Sequence, residues 1–285
     1  VIKTKSSKYL VIGDPVAHSL SPEMQNAAFR HYNLGEPYSK LRVTKEEFPD
    51  FISYARVHLN GFNITVPHKK LVIPELDEIT PMAKLADSVN TVTIKNGKLS
   101  GDSTDGYGLS TAIKEVFGVD VAGSSFFFIG CGGAVQATAF YFAAAGAKSL
   151  YFANRNLNKV EDLAGRLTQA FPQSNINCCT LTNLERIKDF INKSQVAIQG
   201  TSLGLKDSDA MPFPGELLRD ICFYETIYRA TPLLRCAAAM GLKVSDGRTM
   251  LLHQGAKAFE IWTGKPAPVE AMRAGLEHAM TIREK

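Results

Sequence analysis

The feature that most constrains this 285-residue chain is a junction at its middle. The apolar run Phe126-Phe127-Phe128-Ile129 meets Gly130-Cys131-Gly132-Gly133-Ala134 there. A short, wholly apolar run closed by glycine reads as a strand buried on both faces, the kind that lies inside a parallel sheet. The spacing predicts a helix over residues 134–145. Strand, glycine turn and helix in that order bring free backbone N–H groups and the positive end of a helix dipole to one point, which suits a pyrophosphate. The pattern G-x-G-x-x-G is not met literally, because Val135 stands where the third glycine would be. On spacing alone, two readings stand: a dinucleotide cradle and a merely tight turn.

The end of the next strand, over residues 150–153, favours the cradle. An NAD site usually places an acidic side chain there for the ribose hydroxyls. This chain has Asn154-Arg155-Asn156-Leu157-Asn158-Lys159 instead. Arg155 and Lys159 stand one helical turn apart and match a 2′-phosphate, so NADP is favoured over NAD. Helices over 157–171 and 183–193 alternate with strands over 196–198 and 221–225, and a helix over 231–240 follows. Such alternation specifies right-handed crossovers and a parallel sheet. The fold class is α/β.

The first hundred residues read as a second α/β region, and the length suits two domains. Strands are expected at 9–12, near 38–43 and over 61–65, with a helix over 49–58. Ser21-Pro22 predicts a helix start with Ser21 as N-cap, and Thr80-Pro81 repeats the signal. Strands at 89–94 and 99–102 flank Lys95-Asn96-Gly97-Lys98, where Asn-Gly marks a hairpin. Further helices are expected over 108–117, 249–262 and 269–283. Trp262 reads as helix packing.

Chemistry concentrates in three loop motifs: Asn63-Ile64-Thr65-Val66-Pro67-His68-Lys69, Ser88-Val89-Asn90-Thr91 and Gly101-Asp102-Ser103-Thr104-Asp105-Gly106. Lys69 and Asp105 together form a proton-handling pair, and beside a dinucleotide site such a pair equips a chain for hydride transfer to a carbonyl. Taken alone, Lys69 also reads as a surface lysine, as Lys70 does. Ser19 and Ser21 present two hydroxyls at the mouth of a helix, where a carboxylate meets donors and the helix dipole. Thr65, Asn90 and Gln254 add uncharged hydrogen-bonding groups suited to a small, hydroxyl-rich molecule. The six histidines form no H-E-x-x-H pair, and His18 and His68 read as supporting residues.

The net charge of +4 and the lack of an arginine-rich stripe argue against a nucleic-acid partner. No apolar run reaches membrane-spanning length. Five cysteines without metal-type spacing fit reduced thiols and a cytoplasmic setting. Val1-Ile2-Lys3-Thr4-Lys5 lacks a signal-peptide core and is expected to lead into the first strand.

Taken in order, these motifs resemble the shikimate dehydrogenase family. The matching residues are Ser19 to Pro22 with Asn26, Asn63 to Lys69, Val89-Asn90-Thr91, Gly101 to Gly106, and Gly130 to Ala134 with Ala137. Asn154-Arg155, Thr201-Ser202-Leu203-Gly204, Tyr228 with Thr231-Pro232-Leu233-Leu234, Gly247 with Met250-Leu251, and Gln254 continue the series. The resemblance implies an N-terminal α/β substrate lobe and a Rossmann-type dinucleotide-binding domain with a cleft between them. It implies a lobe of residues 1–105 completed by helices from 248–285, and an NADP domain of 106–247. Substrate contacts carry onto Ser19, Ser21, Thr65, Lys69, Asn90, Asp105, Tyr228 and Gln254. Cofactor contacts carry onto Gly130, Gly132, Gly133, Ala134, Val135, Asn154, Arg155, Lys159, Thr201 and Ile227, with Gly247 near the nicotinamide.

The implied reaction is reversible reduction of 3-dehydroshikimate to shikimate by NADPH, with Lys69 and Asp105 catalytic, no metal, and a monomer or homodimer as the working form. Departures from the family pattern are Gln25 for His, Ser103 for Asn, Asn156 for Thr, Gln199-Gly200 for Asn-Ala and Glu225 for Asp. Two rivals stand beside this reading. One is an enzyme that also uses quinate or NAD; the other is a non-catalytic ligand sensor of the same fold.

Overall fold

The computed structural model describes residues 7–206 and 208–283; the expectation for the first five residues lies outside them. In chain order the elements begin with β1 (Tyr9–Gly13), α1 (Ser21–His31), β2 (Tyr38–Arg42), α2 (Phe48–His58) and β3 (Gly61–Ile64). β4 (Glu78–Ile79), α3 (Pro81–Ala86), β5 (Thr91–Lys95), β6 (Lys98–Asp102) and α4 (Asp105–Phe117) follow. Next come β7 (Ser125–Ile129), α5 (Gly133–Ala144), β8 (Ser149–Asn154), α6 (Leu157–Ala170), β9 (Asn175–Thr180) and α7 (Leu184–Asn192). The chain continues with β10 (Val196–Gln199), β11 (Cys222–Glu225), α8 (Pro232–Ala239), β12 (Val244–Ser245), α9 (Arg248–Thr263) and α10 (Val269–Arg283). They form two compact units, one of residues 1–108 with 251–285 and one of 109–250.

The first unit carries a six-stranded sheet in the order β2-β1-β3-β5-β6-β4. β1 runs parallel to β2 and β3, β5 runs antiparallel to β3 and β6, and β4 runs parallel to β6. α2 buries Phe48, Phe51, Ile52 and Ala55, a stripe at i, i+3, i+4 and i+7, in a core with Leu10, Ile12, Phe62 and Val92. Helical residues come in close elsewhere too. The Trp262 indole stands 5.0 Å from the Tyr9 ring and donates to the Val92 carbonyl at 3.0 Å. The β5–β6 hairpin turns on Asn96 and Gly97, both at positive φ (52° and 75°), as a tight right-twisted turn requires.

The start of α1 differs from the sequence expectation by one residue, whereas Thr80 stands at the N-cap position of α3 with Pro81 after it, as expected. Ser21 is the first residue of α1 rather than its cap, and the Ser19 hydroxyl accepts the Ser21 N–H at 3.3 Å. Thr80 does precede α3, but its hydroxyl donates to Asp102 Oδ1 at 3.0 Å instead of capping the helix. α4 starts at Asp105, three residues before the hydrophobic periodicity begins.

The second unit is a six-stranded sheet, order β12-β11-β10-β7-β8-β9, parallel throughout. That is the doubly wound arrangement, whose strand order reverses between β7 and β10. Phe126, Phe127, Phe128 and Ile129 are fully buried at its centre. β9 (Asn-Ile-Asn-Cys-Cys-Thr) was not expected from the sequence. It is an edge strand that pairs only with β8, is mostly half-exposed, and carries too few apolar residues for an alternating signal.

Gly61 on β3 faces the Trp262 indole so closely that a Cβ there would lie 2.5 Å from Nε1 and 2.7 Å from the Val92 carbonyl oxygen. Gly61→Ala therefore destabilises the chain by about 1–3 kcal/mol. Gly165, exposed on α6 with open space around it, gains about 0.5–1 kcal/mol on the same change. Urea unfolding of both variants checks the pair; equal effects at the two sites would contradict the packing argument.

Candidate active site

Asn90 is the hub of the site in the first unit. It sits just before β5 and is almost fully buried. A backbone N–H can only donate, so Thr104 N–H at 2.8 Å fixes which amide atom of Asn90 is oxygen. The Thr91 hydroxyl fills the second lone pair of that oxygen at 3.0 Å. The amide nitrogen is thereby turned toward Asp105 and donates to its Oδ1 at 2.8 Å. The same nitrogen lies 3.0 Å from Thr104 Oγ1 and 3.3 Å from Gln254 Oε1, the acceptors for its other hydrogen. Gln254 is oriented in turn by donating to the Leu251 carbonyl at 2.9 Å.

Asp105 opens α4, where the helix dipole favours a carboxylate. Its second oxygen, Oδ2, accepts from Lys69 Nζ at 2.5 Å, and the two side chains are only 16% and 7% exposed. The Lys69 backbone is held as well, since its carbonyl accepts Val89 N–H at 3.0 Å. Lys70 next door differs: it pairs with Asp87 at 2.6 Å with both side chains half-exposed. His68 is buried, its Nε2 donating to the Val43 carbonyl at 2.6 Å and its ring stacked on Phe48. His18 is exposed.

A second polar chain reaches Asn90 from below. Ser21 is hydrogen-bonded to the Tyr38 hydroxyl, which donates to Asn63 Oδ1 at 2.7 Å. Burial pushes the Tyr38 hydroxyl well above the ordinary phenol range, against the pull of the Ser21 hydrogen bond. Asn63 Nδ2 then donates to the Asn90 carbonyl at 3.2 Å and to Thr91 Oγ1 at 3.1 Å. Thr65 stands beside Gly13, with its N–H on the Ile12 carbonyl at 2.9 Å. Lys69, Asp105, Asn90 and Gln254 thus form one network, to which Ser19 and Ser21 are joined through Tyr38 and Asn63. Tyr38, Asn63, Thr91 and Thr104 had no assigned place in it. Thr104 stood inside the Gly101-to-Gly106 motif, which was the available signal for it; the Ser103 hydroxyl beside it is buried without a partner.

In the second unit the glycine turn lies at the strand-order reversal. Gly132 precedes α5, so the first-turn N–H groups of that helix open at the turn. Cys131 Sγ lies 3.4 Å from the Lys159 carbonyl oxygen, which brings the turn beside the start of α6. Asn154 donates to the Asn156 carbonyl at 2.8 Å, and Asn156 caps α6 by accepting Lys159 N–H at 3.2 Å. Arg155 and Lys159 are exposed at that helix start.

Across the reversal, Gly200 N–H donates to the Ile129 carbonyl at 2.8 Å, and Thr201 N–H donates to Gln199 Oε1 at 3.2 Å. Val135 fills the space at the third glycine position, and Gly200 is what gives it room: a Cβ at 200 would lie 2.2 Å from Val135 Cγ2. Ile227, Tyr228 and Gly247 cluster after β11 and β12. Gly247 N–H donates to the Ile227 carbonyl at 3.1 Å, and a Cβ at 247 would lie 3.0 Å from the Tyr228 ring.

A doubly wound parallel sheet with a glycine turn at its reversal point defines an α/β dinucleotide-binding protein. Comparison with known proteins narrows this. The shikimate dehydrogenase substrate binding domain matches residues 11–92, shikimate / quinate 5-dehydrogenase matches 111–204, and the shikimate 5′-dehydrogenase C-terminal domain matches 247–277. The shikimate dehydrogenase (NADP(+)) of Desulforamulus reducens is 37% identical, with 92% of each chain covered. The Thermus thermophilus shikimate 5-dehydrogenase solved with NADP(H) and shikimate is 32% identical with a TM-score of 0.84, covering 96% of this chain and 99% of that one. The Listeria monocytogenes enzyme solved with shikimate and NAD is 31% identical with a TM-score of 0.87, covering 95% and 96%. The chain belongs to the shikimate dehydrogenase family.

The Val135–Gly200 contact gives a double-mutant test. Gly200→Ala alone destabilises by about 1–3 kcal/mol, because a β-branched side chain is stiff and cannot swing away. Val135→Ala alone also destabilises, but the double variant recovers part of the Gly200→Ala loss, with a coupling of about 0.5–3 kcal/mol. Losses that simply add would show that the two positions do not touch.

Proposed function

We propose that the chain catalyses the reversible reduction of 3-dehydroshikimate to shikimate with NADPH. The observation that carries this reading is the shielded Lys69–Asp105 pair at 2.5 Å, fixed by Asn90 within a set of hydroxyl- and amide-bearing side chains. The lobe implied by the resemblance, residues 1–105 completed by helices from 248–285, takes the substrate. Ser19 and Ser21 receive its carboxylate at the start of α1, and Thr65, Asn90, Tyr228 and Gln254 meet its hydroxyls. Residues 106–247 hold NADP. Gly130, Gly132, Gly133, Ala134 and Val135 carry the pyrophosphate, Asn154, Arg155 and Lys159 the 2′-phosphate, and Thr201, Ile227 and Gly247 the nicotinamide end. The donor set fits such a group, since backbone N–H groups open at α5 and two cations stand at α6 with no carboxylate at the end of β8.

NADPH, when bound, supplies the hydride that reduces the ketone carbon. Lys69 then meets the oxygen on which the electron pair collects, stabilises it and donates a proton to it. An ammonium has three N–H groups, and Asp105 takes one, so donors remain for the substrate oxygen. Asp105 keeps the ammonium aimed, and Asn90 keeps Asp105 from rotating away. In the oxidation direction the proton returns to the Lys69–Asp105 pair as a unit. Among the described residues no helix is long and apolar enough to cross a membrane. None of the five cysteines is in a disulfide, which supports a cytoplasmic setting. The oligomeric form consistent with this reading is a monomer or homodimer.

A broader reading, with quinate as a second substrate or NAD as a second cofactor, draws on the relative solved with shikimate and NAD. Parallel assays with both polyols and both nucleotides decide it. Binding of shikimate without any NADP reduction would instead support a ligand sensor and overturn the enzyme assignment.

Three expected outcomes follow from the roles assigned. Lys69→Ala lowers kcat by about 10²–10⁴ while the Kd for shikimate moves far less, because the loss falls on the proton transfer. Asp105→Asn lowers kcat in the same direction; parental turnover in it would remove Asp105 from the chemistry. Arg155→Ala raises the KM for NADP by about 10- to 100-fold, the weight of a charge-assisted contact, and leaves the KM for NAD unchanged. A parallel rise for both nucleotides would show that Arg155 does not read the 2′-phosphate.

A further inference from the structure

One buried carboxylate takes no part in the chemistry above. Glu225 is the last residue of β11 and is fully shielded from solvent. Residues 226–231 after it form neither strand nor helix, so their backbone N–H groups need other acceptors. Glu225 supplies one: its Oε1 accepts the Ile227 N–H at 3.1 Å. Its Oε2 accepts the Thr231 hydroxyl at 2.7 Å, and that hydroxyl in turn accepts Leu234 N–H as the N-cap of α8. A single carboxylate therefore pins both ends of the segment.

The segment's other fixed points are close by. Thr226 N–H donates to the Gln199 carbonyl at 3.1 Å, and Gly247 N–H donates to the Ile227 carbonyl at 3.1 Å. Gly247 lies hard against the same peptide, since a Cβ there would be 2.2 Å from the Thr226 carbonyl oxygen. Ile227 is thus held through its N–H by Glu225 and through its carbonyl by Gly247. We propose that Glu225 is a positioning residue for the NADP and substrate contacts of Ile227, Tyr228 and Gly247. This rests on the function proposed above.

The alternative is that Glu225 serves only the cap of α8. A cap alone calls for no second partner, because the Thr231 hydroxyl accepts Leu234 N–H by itself. Keeping a carboxylate in a dry place is also unfavourable: burial pushes its carboxyl up to about 7, against the pull of hydrogen bonds from Thr231 and Ile227. An apolar side chain of the same length would fill the space without that penalty. What it would lack is an acceptor for the Ile227 N–H and for the Thr231 hydroxyl.

The test exploits that difference in the full chain. Glu225→Gln keeps the size and an acceptor oxygen; Glu225→Met keeps the size and removes both acceptors. With the parent active on shikimate and NADP, Glu225→Gln retains kcat/KM for NADP within about twofold, and Glu225→Met, assayed well below its melting temperature, loses about tenfold. Tenfold is the order that one ordinary hydrogen bond represents. A folded Met variant with parental constants overturns the proposal. Should the Met variant fail to fold, hydrogen exchange in the parent decides instead: the Ile227 amide is protected, and exchange at the rate of an open loop overturns the proposal equally. An inactive parent would sink the functional reading, while the protection of Ile227 would still report on the positioning.

Discussion

The orientation of one amide governs the first unit. Asn90 cannot flip, because a backbone N–H from Thr104 demands an oxygen and Asp105 demands a hydrogen-bond donor. The groups it links come from different parts of the chain: Asp105 from the start of α4, with Lys69 from the loop after β3 on its other oxygen, and Gln254 from α9. Buried polar groups are costly unless every member is satisfied. Satisfying Asn90 therefore fixes the register of β3 against β5, the entry of α4 and the rotation of α9 together. The lysine at the rim of this network inherits its position from the backbone rather than from its own flexible stem.

The second unit solves a different problem, that of bringing backbone close to a ligand. A parallel sheet buried on both faces ends in loops at its strand-order reversal. Close packing there is usually arranged by three glycines in one turn. Here the third is replaced by Val135, and the missing space is recovered on the facing strand end at Gly200. The departure from the general glycine pattern at Val135 and the departure from the family pattern at Gly200 thus meet in one contact. With valine at 135, a Cβ at 200 would lie 2.2 Å from Val135 Cγ2, so glycine is favoured there.

Much of the architecture was legible because it follows from local rules. The Phe126-to-Ile129 run, the Asn96-Gly97 turn and the Pro-led helix starts each act over a few residues, and the structure places elements where they indicated. The failures have physical causes. Ser21 looked like a cap from its neighbour Pro22, but it is already the first residue of α1, and its side chain is hydrogen-bonded to Tyr38 rather than to a helix N–H. β9 escaped notice because an edge strand needs little apolar surface. In the site, Lys69 and Asp105 were marked by their motifs. Asn63, Thr91 and Thr104 lay inside the three loop motifs without a role of their own, and Tyr38 lay outside them, because their contribution is hydrogen bonding to one another across strands, which leaves no periodic trace in the chain.

The contrast between neighbouring lysines carries the functional argument furthest. Lys69 and Lys70 each pair with an aspartate at almost the same distance, 2.5 Å and 2.6 Å. Distance alone does not separate them. The Lys70–Asp87 pair is half in water, where such contacts contribute about 0–1 kcal/mol and are freely exchanged for solvent. The Lys69–Asp105 pair is largely withdrawn from water, where desolvation offsets most of the Coulombic gain and a hydrophobic pair of similar volume would stabilise the fold as well or better. Stability therefore does not explain its presence. What a shielded ammonium does supply is a donor already stripped of most of its water and aimed by a fixed carboxylate, so that little reorganisation is needed when charge develops on a nearby oxygen. That is a property of use to a reaction and of little use to a fold.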